Sequence, residues 1–281
     1  MATGTAIHAG TVINLRDLGG IPLAGPGAGH AVRSGTVLRS GRLDRYDPAT
    51  DPRVADLGIR TVVDLRTAGE RGAAPDVLPA GARLFVADVF GDDPHMAPAR
   101  LRTLLRDPAR AGRELGGGRA EDLMAEAYRR MVTSPTACSA YRALLETAAD
   151  PAARPVLFHC TAGKDRTGWA STLLLTLLGA DPAVVRGEFL AVNAAVQAAY
   201  STHLRRFMKS GGDPGIAAAV LEVRERYLDA ALGAVAEGWG DMTAYARHGL
   251  RLPDPAVARL REGLIEFVGD GGSVTRSSHT P

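Results

Sequence analysis

The stretch "RPVLFHCTAGKDRTGWASTLLLTLLGA", residues 154–180, constrains the fold more than any other part of the chain. A compact apolar run ends at His159 and Cys160, a polar loop follows, and a second apolar segment begins near Gly168. That order predicts a buried strand, a tight loop and the start of a buried helix. Such a junction gathers unpaired backbone N–H groups and the positive end of a helix dipole at one point, a ready site for an anion. The apolar run 169–180 is too short to cross a bilayer, so it must be buried in protein.

Other segments fall into place around this unit. "RTVVDLR" (60–66) and "ARLFVADV" (82–89) read as core strands, and 11–41 as short strands or a hairpin. Residues 47–57 look helical, 119–149 carry helical spacing of apolar positions, and the chain reads as helical from Asp181 to near Val268 with a break at 209–215. Strands and helices in this order predict an α/β domain with helices packed on a central sheet. With 281 residues, 46% of them hydrophobic, and no repeat or long linker, the chain can bury one sizeable core. The expected limits are a single domain over 1–268 and a disordered tail over 269–281.

Within "CTAGKDR" five residues separate Cys160 from Arg166. A ring that small can point the successive N–H groups of Thr161, Ala162, Gly163 and Lys164 at a tetrahedral oxyanion, with Cys160 at its floor. A free thiol has a pKa of about 8.5, and a helix N-terminus with nearby cations lowers it, so thiolate is expected at neutral pH. Arg166 can bind two phosphate oxygens through its planar fork. Gly163 allows a close approach that a side chain would obstruct, and the Thr167 hydroxyl can stabilise the thiolate. These residue types suit transfer of a phosphoryl group to Cys160 and hydrolysis of the thiophosphate, with a carboxylic acid to protonate the departing oxygen. Asp165 is the first candidate acid; Asp88, at the end of an expected strand, is the alternative, with Asp92 and Asp93 behind it.

"HCTAGKDRTG" resembles the signature of the cysteine-dependent protein tyrosine phosphatases. Together with "NLRDLGG" (14–20), "VLRSGRLDR" (37–45) and "LGIRTVVDLRTAGE" (57–70), it is similar to a bacterial branch that includes secreted mycobacterial enzymes. The resemblance covers most of the chain and implies a phosphatase-like fold with Cys160 as nucleophile, Arg166 as phosphate clamp and Asp165 as acid. It makes Lys164 an extra cation facing the substrate, and places a two-helix lid at 193–230. The group acts on phosphotyrosine and also on phosphoserine, phosphothreonine and phosphoinositides, so the expected substrate is a phosphoprotein. A phosphorylated small molecule, such as an inositol, nucleoside or sugar phosphate, is the alternative. The Trp-Pro-Asp acid loop of the eukaryotic enzymes is not found in this sequence.

Other classes fit less well. A nucleotide-binding P-loop needs Ser or Thr after Gly163-Lys164 and glycine at Phe158. A sulfurtransferase would be expected to have a shorter Cys-to-Arg spacing, and a non-catalytic phosphate binder would be expected to lack Cys160 or Arg166. Net charge is only +2, which argues against nucleic acid and stable membrane association. Two cysteines make no disulfide framework and no metal set, so no metal or cofactor is expected, and a cytoplasmic setting fits best, with non-classical secretion left open. Cys138 reads as a helix-packing residue and His159 as structural. Arg16 and Asp17 either line the pocket or tie a turn, Arg66 and Glu70 read as a structural ion pair, and "HLRRFMK" (203–209) as a solvated face that in the lid position could meet an acidic substrate.

Overall fold

The computed structural model describes residues 3–93 and 103–269, so the tail expected to lack order lies, except for Gly269, outside the described residues. Its centre is strand β7 (Val156–His159), flanked in parallel by β4 (Val37–Ser40) and β5 (Thr61–Asp64). Every residue of these three strands is buried, the polar Arg39, Ser40, Thr61, Asp64 and His159 included. Strand β6 (Arg83–Val86) extends the parallel part beyond β5, while β2 (Arg16–Asp17) and β1 (Thr5–Ala6) add antiparallel strands beyond β4. A separate ribbon pairs β3 (His30–Val32) with β8 (Ile265–Phe267).

The pleat divides the core between the two faces of the sheet. Val37, Val63, Val156 and Phe158 join the larger cluster, and Leu38, Val62 and Leu157 join a smaller one with Val12, Leu43 and Val54. Helices α1 (Pro52–Ala55) and α2 (Ala68–Ala73) follow β4 and β5. Helices α3 (Pro108–Leu115), α4 (Arg119–Thr133) and α5 (Pro135–Ala149) lie between β6 and β7. Then come α6 (Asp165–Leu178), α7 (Pro182–Leu190), α8 (Asn193–Lys209), α9 (Pro214–Leu221), α10 (Glu225–Trp239), α11 (Met242–Ala244) and α12 (Asp254–Leu264). Every residue of helix α6 except Thr176 is buried, the polar first turn Asp165–Thr167 included.

Four details depart from the sequence reading, the first being that the stretch read as helical to near Val268 ends in strand β8 (Ile265–Phe267). The helical stretch 119–149 is broken at Ser134, whose hydroxyl accepts from the Ala137 N–H while Pro135 opens the next helix. The helix expected over 47–57 shrinks to the single turn of α1. Strand β6, expected in the core, is an edge strand that among the described residues pairs only with β5, so Leu84, Phe85 and Val86 stay 41–46% exposed. Helices α8 and α9 fill much of the stretch 193–230 and bury Phe207, Ile216 and Val220 against Ala111, Leu115 and Ala120, a cluster of their own beside α3 and α4.

Charge is also buried beside the sheet. Glu188 on α7 is inaccessible and accepts from Arg16 Nε at 3.1 Å, Arg16 Nη2 at 3.0 Å, Arg39 Nη1 at 3.4 Å and the Gly4 N–H at 2.8 Å. Removing the carboxylate would strand two buried guanidinium groups. Glu188→Ala should therefore lower the unfolding free energy by about 3–5 kcal/mol in urea titrations; a loss below about 1 kcal/mol would mean that the arginines are neutralised elsewhere.

Candidate active site

Ser40 and Asp64 stand in register with His159, so the chain leaving β4, β5 and β7 converges at one edge of the sheet, the C-terminal edge where α/β proteins place their sites. Cys160 opens the loop there and α6 begins at Asp165. Gly163 sits at φ +67°, and a Cβ on it would lie 2.5 Å from the carbonyl carbon and oxygen of Ser40. Only glycine lets the loop pass the end of β4 in that conformation.

Cys160 is buried, which alone would raise its pKa, but the Arg166 charge and the Thr167 hydroxyl and N–H outweigh burial and bring it below the ordinary thiol value. That hydroxyl has no nitrogen or oxygen partner. Arg166 is itself held in place. Its Nη1 donates to Glu70 Oε2 at 2.6 Å and to the Leu65 carbonyl at 3.3 Å, and its Nη2 to Glu70 Oε1 at 2.8 Å. Its Nε is buried and has no partner. The Nη1–Nη2 end of the fork is thus committed to Glu70, while Nε and the second Nη2 hydrogen share the edge that can grip a bound oxyanion.

Glu70 departs from its expected partner, Arg66. It is the third residue of α2, in a capping box in which Thr67 Oγ1 accepts from the Glu70 N–H and the Glu70 carboxylate accepts from the Thr67 N–H at 3.0 Å. The same carboxylate accepts from the Thr161 hydroxyl and from Arg166. Burial would raise its pKa, yet Arg166 holds it well below the usual carboxylate range. Arg66 turns the other way, to Asp64 (Nη2 to Oδ2, 2.7 Å) and Asp76 (2.8 Å), because residues 64 and 66 lie on one side of an extended chain.

Beneath the loop, His159 Nδ1 donates to the Cys160 carbonyl at 3.2 Å, and Nε2 lies 3.0 Å from Asp76. Burial would lower its pKa, but Asp76 and Asp64 outweigh it and raise the value. By distance alone Asp64, Asp76 and His159 could ligate a metal ion. The Arg66 guanidinium already lies against both carboxylates, and a metal would have to displace it.

The remaining candidates separate. Lys164, expected to face a substrate, instead points its ammonium under the loop to Asp165 Oδ1 (3.1 Å), the Val220 carbonyl (2.9 Å) and the Glu222 carbonyl (3.5 Å), where the end of α9 offers unpaired carbonyls. Asp165 Oδ1 also accepts from the buried Tyr128 phenol at 3.1 Å. Arg16 and Asp17 do not line the loop. Arg16 is taken by Glu188, and Asp17 ties a turn through the N–H groups of Gly19 (2.8 Å) and Gly35 (2.7 Å). Asp92 accepts from the Ser134 hydroxyl at 2.6 Å, and Asp93 pairs with Arg130 at 3.4 Å. Asp88 accepts from the Ala68 and Phe90 N–H groups and from Arg71, and its burial raises its pKa in spite of them. Two residues that sequence reasoning passed over touch the loop: Asn14 and Arg39 both donate to the Gly163 carbonyl. Both stand inside quoted motifs, "NLRDLGG" and "VLRSGRLDR", which was the available signal.

From Thr161 a cavity of about 670 Å³ extends to α8, with Arg42, Arg45, Arg106, His203 and Arg206 in its walls. Iodoacetate alkylation of Cys160 should follow a titration midpoint below the ordinary thiol value of about 8.5, and Arg166→Met should move that midpoint upward. An unmoved midpoint would mean that Arg166 does not stabilise the thiolate.

The sequence profile of the tyrosine phosphatase family matches residues 7–266. Over 253 residues the chain is 35% identical to a provisionally named tyrosine-protein phosphatase of Cupriavidus necator, covering 89% of this chain and 85% of that one. Over 259 residues it is 32% identical to the triple specificity protein phosphatase PtpB of Mycobacterium tuberculosis, covering 84% and 92% of the two chains. A buried cysteine below a held arginine, on the loop between a central parallel strand and a helix, agrees with that match across nearly the whole chain: the protein belongs to the tyrosine phosphatase family.

Proposed function

We propose that this protein hydrolyses phosphate monoesters of proteins, phosphotyrosine first and phosphoserine or phosphothreonine also, through a phosphate ester of the Cys160 sulfur. The observation that carries this reading is the arrangement of Arg166, fixed at one end by Glu70 with its Nε edge unpartnered beside a thiol whose pKa is lowered. In the first step the Cys160 thiolate forms a bond to phosphorus as the bond to the tyrosyl oxygen breaks, and an acid gives that oxygen a proton. In the second, water attacks the same phosphorus, its proton returns to the acid's conjugate base, and the thiolate leaves with phosphate released. The loop N–H groups and Arg166 bind the phosphoryl oxygens throughout. Nothing in this sequence of steps calls for a metal ion or cofactor.

We assign the proton donor to Asp88 in preference to Asp165. Burial raises the Asp88 pKa and favours the protonated form an acid needs. Asp165 Oδ1 is already engaged by the Lys164 ammonium at 3.1 Å and by the Tyr128 hydroxyl at 3.1 Å. Helices α8 and α9 serve as a cover over the loop, tied at the end of α9 by Lys164. The arginine-lined cavity supports acidic residues flanking the phosphorylated side chain, and supports equally a small molecule with several phosphates as the second reading. A reducing, cytoplasmic compartment suits an enzyme that works through a free thiol.

Phosphate release from phosphotyrosyl and phosphoseryl peptides, inositol phosphates and nucleotides tests the substrate. Cys160→Ser should abolish release while leaving phosphate binding in place; retained turnover would reject the covalent route. Asp88→Asn should slow alkyl phosphates by about 10²-fold or more and activated aryl phosphates far less. The same leaving-group pattern in Asp165→Asn, and not in Asp88→Asn, would transfer the acid role to Asp165.

A further inference from the structure

We propose that Asn14 and Arg39 are positioning residues of the phosphate loop: by holding the Gly163 carbonyl from outside the ring, they turn the Lys164 N–H into it. This rests on the reading of residues 160–166 as a phosphate cradle. A trans peptide is planar, and its C=O and N–H point in opposite directions. Wherever a loop carbonyl is tied outward, the N–H of the next residue must face inward.

The loop carbonyls are tied one after another. Cys160 O accepts from His159 Nδ1 at 3.2 Å and Thr161 O from the Arg42 N–H at 3.3 Å. Ala162 O accepts from Asn14 Nδ2 at 3.4 Å, and Lys164 O from the Gly168 N–H at 2.6 Å, the first turn of α6. Gly163 O takes two donors, Asn14 Nδ2 at 2.7 Å and Arg39 Nη2 at 2.9 Å. Four of these ties come from backbone or from a residue adjacent to its acceptor, or are long. The strong side-chain ties fall on the one peptide whose leading residue is glycine at positive φ, the peptide with least resistance to flipping.

Each of the two residues is built for the task. Asn14 stands at φ +56°, a left-handed conformation that asparagine adopts more readily than most residues, and with carbonyls before it the amide presents its nitrogen. Arg39 is wholly buried on β4, where burial lowers its pKa and the Glu188 carboxylate 3.4 Å away opposes that. Glu188 also holds Arg16, so the buried cluster beside the sheet is what aims Arg39 at the loop. Neither Asn14 nor Arg39 has to touch the substrate to act in this way.

The test uses the full chain, with inorganic phosphate as probe in calorimetric titrations, alongside KM and kcat for an aryl phosphate. Asn14→Gly suits a positive φ and removes only the amide; Asn14→Asp keeps the shape and replaces the donor by an acceptor. In each folded variant the phosphate Kd should rise about tenfold or more, with kcat/KM falling in parallel, and Asn14→Asp should be the worse of the two. A lower melting temperature with an unchanged phosphate Kd would overturn the proposal, since it would make the contact structural only. The outcome is separable from that of the proposed function: wild-type protein that binds phosphate without hydrolysing esters would contradict the function and leave this inference standing.

Discussion

A guanidinium at the floor of an anion site has to be fixed by a counter-ion that does not itself occupy the anion's place, and Glu70 does this for Arg166. The fork has two usable edges. Glu70 and the Leu65 carbonyl take Nη1 and one side of Nη2, which leaves the Nε edge without a partner, while the Arg166 charge lowers the Cys160 pKa. The constraint reaches outward through α2, because Glu70 can reach the loop only while its capping box with Thr67 holds the start of that helix. The proposed phosphate clamp and a helix cap share one carboxylate.

The same economy recurs around the loop. Arg39 and Arg16 share Glu188, Arg66 pairs with Asp64 and Asp76, and Lys164 pairs with Asp165 and the carbonyls at the end of α9. Buried ion pairs of this kind add little net stability, because each charge must first lose its water. Their value here is directional. Each cation carries hydrogen-bond donors whose positions hold a particular partner in place, the Gly163 carbonyl for Arg39 and the end of α9 for Lys164.

Much of this was legible in the residues. An apolar strand, a Cys-x5-Arg loop and an apolar helix specified the centre of the fold and the placing of Cys160 and Arg166 on one loop, since their order leaves few ways to bury the runs and only one end of the strand for the loop. Glu70 was hidden by its spacing from Arg66, which resembles a helical i, i+4 pair. Arg66 precedes the helix, however, so that geometry does not apply, and the readable signal was the Thr-x-x-Glu capping pattern in "RTAGE". Lys164 misled because a charge in an anion loop invites a substrate role, whereas side-chain direction at the start of α6 depends on the long-range packing of α9. Strand β6 misled because an apolar run does not reveal whether a second neighbour will cover it.

In the proposed reaction the sulfur of Cys160 carries the phosphoryl group between substrate and water. Rapid quenching of the wild-type protein during turnover of an aryl phosphate, followed by mass spectrometry of its peptides, measures this directly. Phosphate should be found on the peptide containing Cys160, attached to the sulfur and lost on hydrolysis at the rate of turnover. Turnover with the Cys160 peptide unmodified, or phosphate carried on another side chain, would contradict it.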